Sequence, residues 1–203
     1  MPVVPNIHPI RLSRRHEPFD SEDFLYELKI DGFRALAHIS DGKGELISRN
    51  GNVFRGFAEL ATWIAGHLKV EDVVLDGEIA CIDGEGRPVF KDLLFRKSTC
   101  IFVAFDLLYL NGKDLRTLPL IERKRQLRKL IRRRRSRILY LDHVENDGRL
   151  LFEQIVKMDL EGMVCKRKNS PYRVTEKPSP YWIKVKNRRY SQLEGREELF
   201  ERN

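Results

Sequence analysis

The chain has little cysteine, little histidine and no long apolar run. Its three cysteines, Cys81, Cys100 and Cys165, stand singly, without the paired spacing of a disulfide framework or a zinc site. The five histidines show no metal-ligand spacing, such as two on adjacent helical turns. The best candidate for a membrane span, Ile101 to Leu110, is too short and is interrupted by Asp106. Pro2, Pro5 and Pro9 recur without an apolar segment between them, so no secretory leader is expected. A Walker phosphate loop is absent, and Gly42-x-Gly44 lacks the spacing of a dinucleotide loop. These absences argue against a disulfide-stapled, zinc-binding or membrane protein, and a reducing, cytoplasmic setting is expected.

What is present is enough for one core: 203 residues, of which 41% are hydrophobic. The net charge of +8 is uneven. Arg123 to Arg137 holds ten Lys or Arg and no acid, so taking ten from +8 leaves the rest at −2. Leu120, Ile121, Leu127, Leu130 and Ile131 recur at helical spacing, which predicts an amphipathic helix with a basic outer face. The block Arg132, Arg133, Arg134 and Arg135 follows. It reads either as solvated cations near a helix C-terminus or as a phosphate-backbone contact surface. A helix end needs one or two cations rather than a block, which favours the second.

Residues 1–18 read as an extended arm, and residues 19–203 as one domain. Strands are predicted near Leu25–Ile30, Phe33–Ile39, Glu45–Ser48, Val73–Ile82, Ile101–Leu110, Met163–Lys166 and Trp182–Lys186. Helical stripes run through Phe57 to Leu68 and Leu150 to Met158. Turns fall at Asp41-Gly42-Lys43-Gly44 and Asp83-Gly84-Glu85-Gly86, and the charged tail reads as helical near residues 194–200. Strands and helices mixed in this way define an α+β chain.

The chemistry concentrates in Lys29-Ile30-Asp31-Gly32-Phe33-Arg34. Tyr26, Leu28 and Ile30 alternate with Glu27, Lys29 and Asp31, so the charged side chains are predicted to share one face. Lys29 can be read as a nucleophile, since an amine attacks phosphorus once deprotonated; a surface lysine fits the hexapeptide equally well. Lys184 and Lys186 alternate with Ile183 and Val185 and point to one face, as fixed cations for developing negative charge or as an ordinary amphipathic strand.

Further along stand Ser48-Arg49-Asn50-Gly51, Leu75-Asp76-Gly77-Glu78-Ile79, Phe102-Val103-Ala104-Phe105-Asp106, Glu161-Gly162-Met163-Val164 and Trp182-Ile183-Lys184-Val185-Lys186. In this order and spacing, the six stretches resemble the nucleotidyltransferase motifs of ATP-dependent DNA ligases, closest to the ligase domains of bacterial non-homologous end-joining ligases and small stand-alone relatives. Phe90-Lys91-Asp92-Leu93 resembles the segment after the ligase Asp-Gly-Glu motif. The resemblance covers residues 19–203. It implies the ligase/capping-enzyme nucleotidyltransferase fold of antiparallel sheets flanked by helices. The residues after Lys186 are too few for the oligonucleotide-binding barrel of such ligases, so a fold without a C-terminal OB-fold is expected.

The resemblance also implies roles. Lys29 would attack ATP to form a lysyl-AMP intermediate. Glu27 would line the adenine pocket, Phe105 would stack on the base, and Glu78 would hold the ribose hydroxyl. Arg34 and Arg49 would contact ribose and phosphate, and Lys184 and Lys186 the α-phosphate. Glu161, with Asp31 beside the nucleophile, would hold Mg2+ or Mn2+. The implied substrate is nicked duplex DNA in repair or recombination, with a partner protein supplying an OB-fold or end-joining function. An accessory nucleotide-binding subunit, an RNA ligase and a capping guanylyltransferase are the alternatives.

Overall fold

The computed structural model describes residues 7–81, 93, 99–131 and 136–191. The sequence readings at 83–86, 90–92, 132–135 and 194–200 lie outside the described residues. In chain order the strands are β1 (Leu12–Arg15), β2 (Phe24–Leu28), β3 (Phe33–Ser40), β4 (Lys43–Ser48), β5 (Asp72–Cys81), β6 (Cys100–Leu110), β7 (Lys113–Asp114), β8 (Ile138–Tyr140), β9 (Val144–Glu145), β10 (Gly162–Arg167) and β11 (Ser179–Lys186). The helices are α1 (Ala58–His67), α2 (Leu120–Leu130) and α3 (Gly148–Lys157), and one tight helical turn, Arg55–Phe57, leads into α1.

The strands form two sheets. A five-stranded sheet has the order β1-β11-β10-β2-β9, and a six-stranded one runs β4-β3-β5-β6-β7 with β8 beside β6. Pairing is antiparallel except for β1 on β11 and β8 on β6. The expected α+β arrangement of antiparallel sheets flanked by helices therefore holds, with these two parallel pairs added.

Alternation along the strands builds three packed cores. Ala35, Ala37, Ile39 and Leu75 face outward from the six-stranded sheet and meet Leu60, Ala61 and Ile64 of α1. Leu36, Val74, Val103 and Leu108 face inward and meet Leu25 and Trp182 of the other sheet. Tyr26, Met163, Cys165 and Val185 turn the outer face of the five-stranded sheet onto Ile155 of α3. Each fully buried Leu or Ile in these layers contributes about 1.5–3 kcal/mol. Because β5 and β6 are covered on both faces, their sequences read as nearly continuous apolar runs.

Asp41 and Gly42 both have positive φ, 49° and 73°, and Ser40 pairs with Lys43. That geometry closes the β3–β4 hairpin in two residues. The short β1, β7, β8 and β9 have too little pattern to be seen in sequence, and pairing with longer strands holds them. Residues 7–18 do not stand apart from the domain. Ile7 and Ile10 are buried in the inter-sheet core, and β1 adds an edge strand to β11.

Two sequence expectations need correction. The helix α2 does not present all its cations to solvent: Arg123 and Lys124 are fully buried. They are drawn inward by buried carboxylates on β6 and β2, which no periodicity argument registers. Asp31 does not share a face with Glu27 and Lys29. The strand ends at Leu28, and the buried Asp31 accepts a hydrogen bond from Tyr190 Oη at 2.8 Å. At Gly32 the backbone passes so close to β5 that an added Cβ would sit 2.1 Å from the Ile79 carbonyl oxygen. Glycine is required there by that contact.

Candidate active site

Three rows of side chains cross the inner face of the five-stranded sheet. Trp182, Lys166 and Leu25 are register partners in the first, and Arg14, Lys184, Val164 and Glu27 in the second. In the third, Lys186 pairs with Gly162, whose carbonyl accepts a 2.8 Å hydrogen bond from Lys29 N. A side chain at Gly162 would meet Val185 O at 2.3 Å, and φ there is +150°, so this row needs glycine at its centre. Period-two alternation thus converts three separate sequence motifs into one cationic surface.

That surface forms one wall of a cleft of about 1040 Å³. Arg34, Glu78 and Phe105 come from the opposite sheet, and Arg49 comes from the turn after β4. The turn is closed by Gly51 N donating to Ser48 O and by Ser48 N donating to Asn52 O. Of the expected site residues, Glu27, Lys29, Arg34, Arg49, Glu78, Phe105 and Lys184 all line this cleft. Asp31, Glu161 and Lys186 are not among the lining residues; Glu161 joins the site through its ion pair with Lys29, and Lys186 through Glu161.

Lys29 Nζ lies 2.6 Å from Glu161 Oε2, and Lys186 Nζ lies 3.9 Å from Glu161 Oε1. Glu161 is buried at the end of the loop after α3 and so holds a carboxylate against the lysine pair. Burial lowers the pKa of Lys184, and the neighbouring charges of Lys186, Lys29 and Arg14 lower it further. Arg34 is more constrained than its sequence motif implied. It grips Asp76 with two hydrogen bonds of 3.1 and 2.7 Å and donates to Ile10 O at 2.7 Å. Tyr172 Oη donates to the same aspartate at 2.6 Å. Arg34 therefore ties the residue 7–18 segment to β5 while forming part of the cleft wall.

Glu27 sits at the floor between two lysines that sequence reading did not assign to the site. Lys124 donates to Glu27 Oε1 and, at 2.9 Å, to Leu141 O. Lys166 Nζ is 2.6 Å from Glu27 Oε2, an ion pair outside hydrogen-bond directions. Burial opposes ionisation of Glu27, but the two ammonium groups outweigh it and hold the carboxyl below its ordinary range. Burial pushes Lys166 down to about 8. Its ammonium lies 4.1 Å from the Phe105 ring centroid and 4.0 Å from that of Trp182, a cation–π arrangement that compensates lost hydration. Lys166 was legible in principle, because Gly162, Val164 and Lys166 alternate onto one face. Nothing local marks Lys124.

Burial pushes Glu78 up to about 8, despite the opposing charges of Lys29 and Arg34. Between its ordinary value of 4.5 and about 8, the folded chain holds this proton more tightly than the unfolded chain. The contribution of Glu78 to stability is therefore lost as pH rises through that window. Glu78→Gln cannot ionise. The variant should gain in urea midpoint relative to the parent as pH rises from about 5 to about 8, with the gap constant above that. Parallel midpoints across the range would remove Glu78 as a titrating group.

A divalent ion accompanying nucleotide phosphates takes one or two carboxylates and completes its shell with phosphate oxygens and water. Glu161, next to the lysine pair, fits that donor set. Among the described residues no cluster of three or more His, Cys, Asp or Glu makes an all-protein metal cage.

An antiparallel two-sheet domain with a strand-end lysine, paired lysines on its last strand and a glutamate between them has the plan of a lysine nucleotidyltransferase. The family described as ATP dependent DNA ligase domain matches residues 11–186. The chain belongs to that family. It is 36% identical over 171 residues to the multifunctional non-homologous end joining protein LigD of Pseudomonas aeruginosa, covering 81% of this chain and 20% of that protein. It is 31% identical over 195 residues to the SPbeta prophage-derived DNA ligase-like protein LigB of Bacillus subtilis, covering 92% of this chain and 70% of that protein. Its fold matches the mycobacterial DNA ligase D complexed with ATP and MES at a TM-score of 0.74 and 27% identity, covering 89% of this chain and 60% of that one. No helix among the described residues is long and apolar enough to cross a membrane.

Proposed function

We propose that this chain is the adenylating domain of an ATP-dependent DNA ligase. Lys29 Nζ attacks the α-phosphorus of ATP, a phosphoramidate bond forms as the bond to pyrophosphate breaks, and AMP is left on the lysine. The AMP passes to the 5′-phosphate of nicked duplex DNA. The 3′-hydroxyl then attacks that phosphate, closing the backbone and releasing AMP. The observation that carries this reading is the cleft in which Lys29 and Lys184 on one wall stand across from Glu78 and Phe105 on the other, with Glu161 paired to Lys29 Nζ.

Each residue has a physical task. Glu161, 2.6 Å from Lys29 Nζ, is the acceptor in place for the proton that the amine must lose. Lys184 and Lys186 oppose the charge that develops on the α-phosphate. Phe105 offers a ring edge and face to the base, Glu78 accepts from the ribose hydroxyl, and Arg49 meets phosphate at the rim. Glu27, with Lys124 and Lys166 fixing its orientation, presents acceptors at the base-binding floor. A bound Mg2+ or Mn2+, held by Glu161 and the phosphates, would spread negative charge across the phosphate oxygens. The names of the LigD relatives favour end joining as the setting, with a partner protein completing the grip on DNA.

Incubation with ATP labelled at the α-phosphate, followed by denaturing electrophoresis, tests the first step. Label should remain on the chain, whereas γ-label should not. An adduct formed equally well from GTP would point to capping-type chemistry, and no adduct would leave only nucleotide binding. Nicked duplex DNA compared with nicked RNA tests the later steps.

The block Arg132, Arg133, Arg134 and Arg135 is proposed as a DNA phosphate contact. Changing all four to serine should weaken duplex binding and reduce the slope of log affinity against log salt by up to about 0.9 per lost contact. An unchanged slope assigns the block to solvation.

A further inference from the structure

Two cysteines that stand singly in the sequence meet in the fold, against the sequence expectation of isolated thiols. Cys81 ends β5 and Cys100 begins β6, and they are direct partners across this antiparallel pair. Such partners have Cα atoms about 4.5–5.5 Å apart, inside the range of about 4.4–6.8 Å that a disulfide spans. Both side chains enter the core beneath α1, and their sulfurs are 2.7 Å apart. Neither residue lines the nucleotide cleft. Cys165 lies in another core, with Tyr26, Met163 and Val185, and burial pushes its thiol up to about 12. It belongs to a different core from the Cys81 and Cys100 pair.

We propose that Cys81 and Cys100 form a reversible modification site, closing to an intramolecular disulfide by exchange with a low-molecular-weight disulfide of the glutathione class. Cys100 is the more exposed of the two, 8% against 1%, and is the attacking sulfur. Its thiolate displaces one glutathione thiolate and forms a mixed disulfide. Cys81 sulfur, as thiolate, then attacks the Cys100 sulfur and displaces the glutathione bound there. The two protein thiols lose two protons and two electrons, and one oxidised glutathione becomes two reduced ones. The product covalently joins the end of β5, the strand that carries Glu78, to the start of β6, restricting the unfolded chain and raising the denaturant midpoint of the oxidised form.

The test uses the full chain incubated with oxidised glutathione, then denatured and alkylated. One alkylated cysteine should remain in place of three, with the mass lowered by two hydrogens and a peptide pair joined through Cys81 and Cys100. Dithiothreitol should restore all three alkylation sites. Cys81→Ser should lose the cross-link and trap glutathione on Cys100. Retention of three alkylatable thiols, glutathione persisting on the parent chain without closure, a cross-link through Cys165, or one that survives in Cys81→Ser would overturn the proposal.

Discussion

Replacing Lys29 with alanine is expected to abolish the AMP adduct, lowering single-turnover adenylylation by at least about a thousandfold, or about 4 kcal/mol of barrier. No other amine substitutes easily. Lys184 and Lys186 arise on β11, which β10 separates from β2, and are proposed to act as fixed charges, and Lys166 is committed to Glu27 at the floor. Lys29→Arg should fail nearly as badly, because guanidinium keeps its proton and has no lone pair to offer. The fold should survive both changes. Lys29 is only partly buried, and its partner Glu161 keeps Lys186 at 3.9 Å. Intact-mass measurement of the AMP increment, alongside a urea midpoint for each variant, separates lost chemistry from lost structure. An adduct of parental yield on Lys29→Ala would move the nucleophile elsewhere.

Arg123→Ala should be the most damaging substitution to stability, costing about 3–5 kcal/mol although the residue lies in the most basic stretch of the chain. Its guanidinium meets both oxygens of Asp106 at 2.8 and 2.9 Å and donates to Ser170 O at 3.1 Å, with both side chains wholly buried. Asp106 faces Asp76 across the β5–β6 pair, so two buried carboxylates are register partners. Each is neutralised by its own arginine, Arg123 for one and Arg34 for the other. Removing Arg123 leaves the buried Asp106 without its cation and beside a second buried aspartate. Arg125→Ala is the internal comparison. Arg125 pairs with Glu122 at 2.6 Å on the exposed side of the same helix, where such a pair contributes about 0.3–0.5 kcal/mol. Urea unfolding of the two variants should differ severalfold in lost stability. Equal losses would mean that the Asp106 pair is not a buried charge pair in solution. The double variant with Asp106→Ala should recover part of the loss, since it removes the stranded carboxylate as well.

The outcome for α2 shows where local reading ends. Helical spacing of Leu120, Leu127 and Leu130 was visible, and so was the density of positive charge. Which cations turn inward was decided by Asp106 on β6 and Glu27 on β2, which reach the helix only after the two sheets have stacked. A similar limit applied to Asp31. Alternation from Glu27 through Lys29 pointed it toward the cleft, but the strand stops at Leu28, the backbone passes tightly against Ile79, and Tyr190 takes the carboxylate into the interior. Cys81 and Cys100, nineteen positions apart, became neighbours through strand register alone.

The sequence by itself determined the elements and the chemistry they could carry. Periodicity of two or near three and a half residues set most strands and helices, because each apolar stripe must be buried on one side. The same alternation put Lys184 and Lys186 on one face, and the order of the motifs pointed to the family. Only the tertiary structure decided which charges would be paired and dry. Glu27 between Lys124 and Lys166, Asp76 with Arg34, Asp106 with Arg123, and Glu161 between Lys29 and Lys186 each join residues from separate elements. Local propensity acts over a few residues, whereas desolvation and ion pairing depend on what the fold brings within a few ångströms.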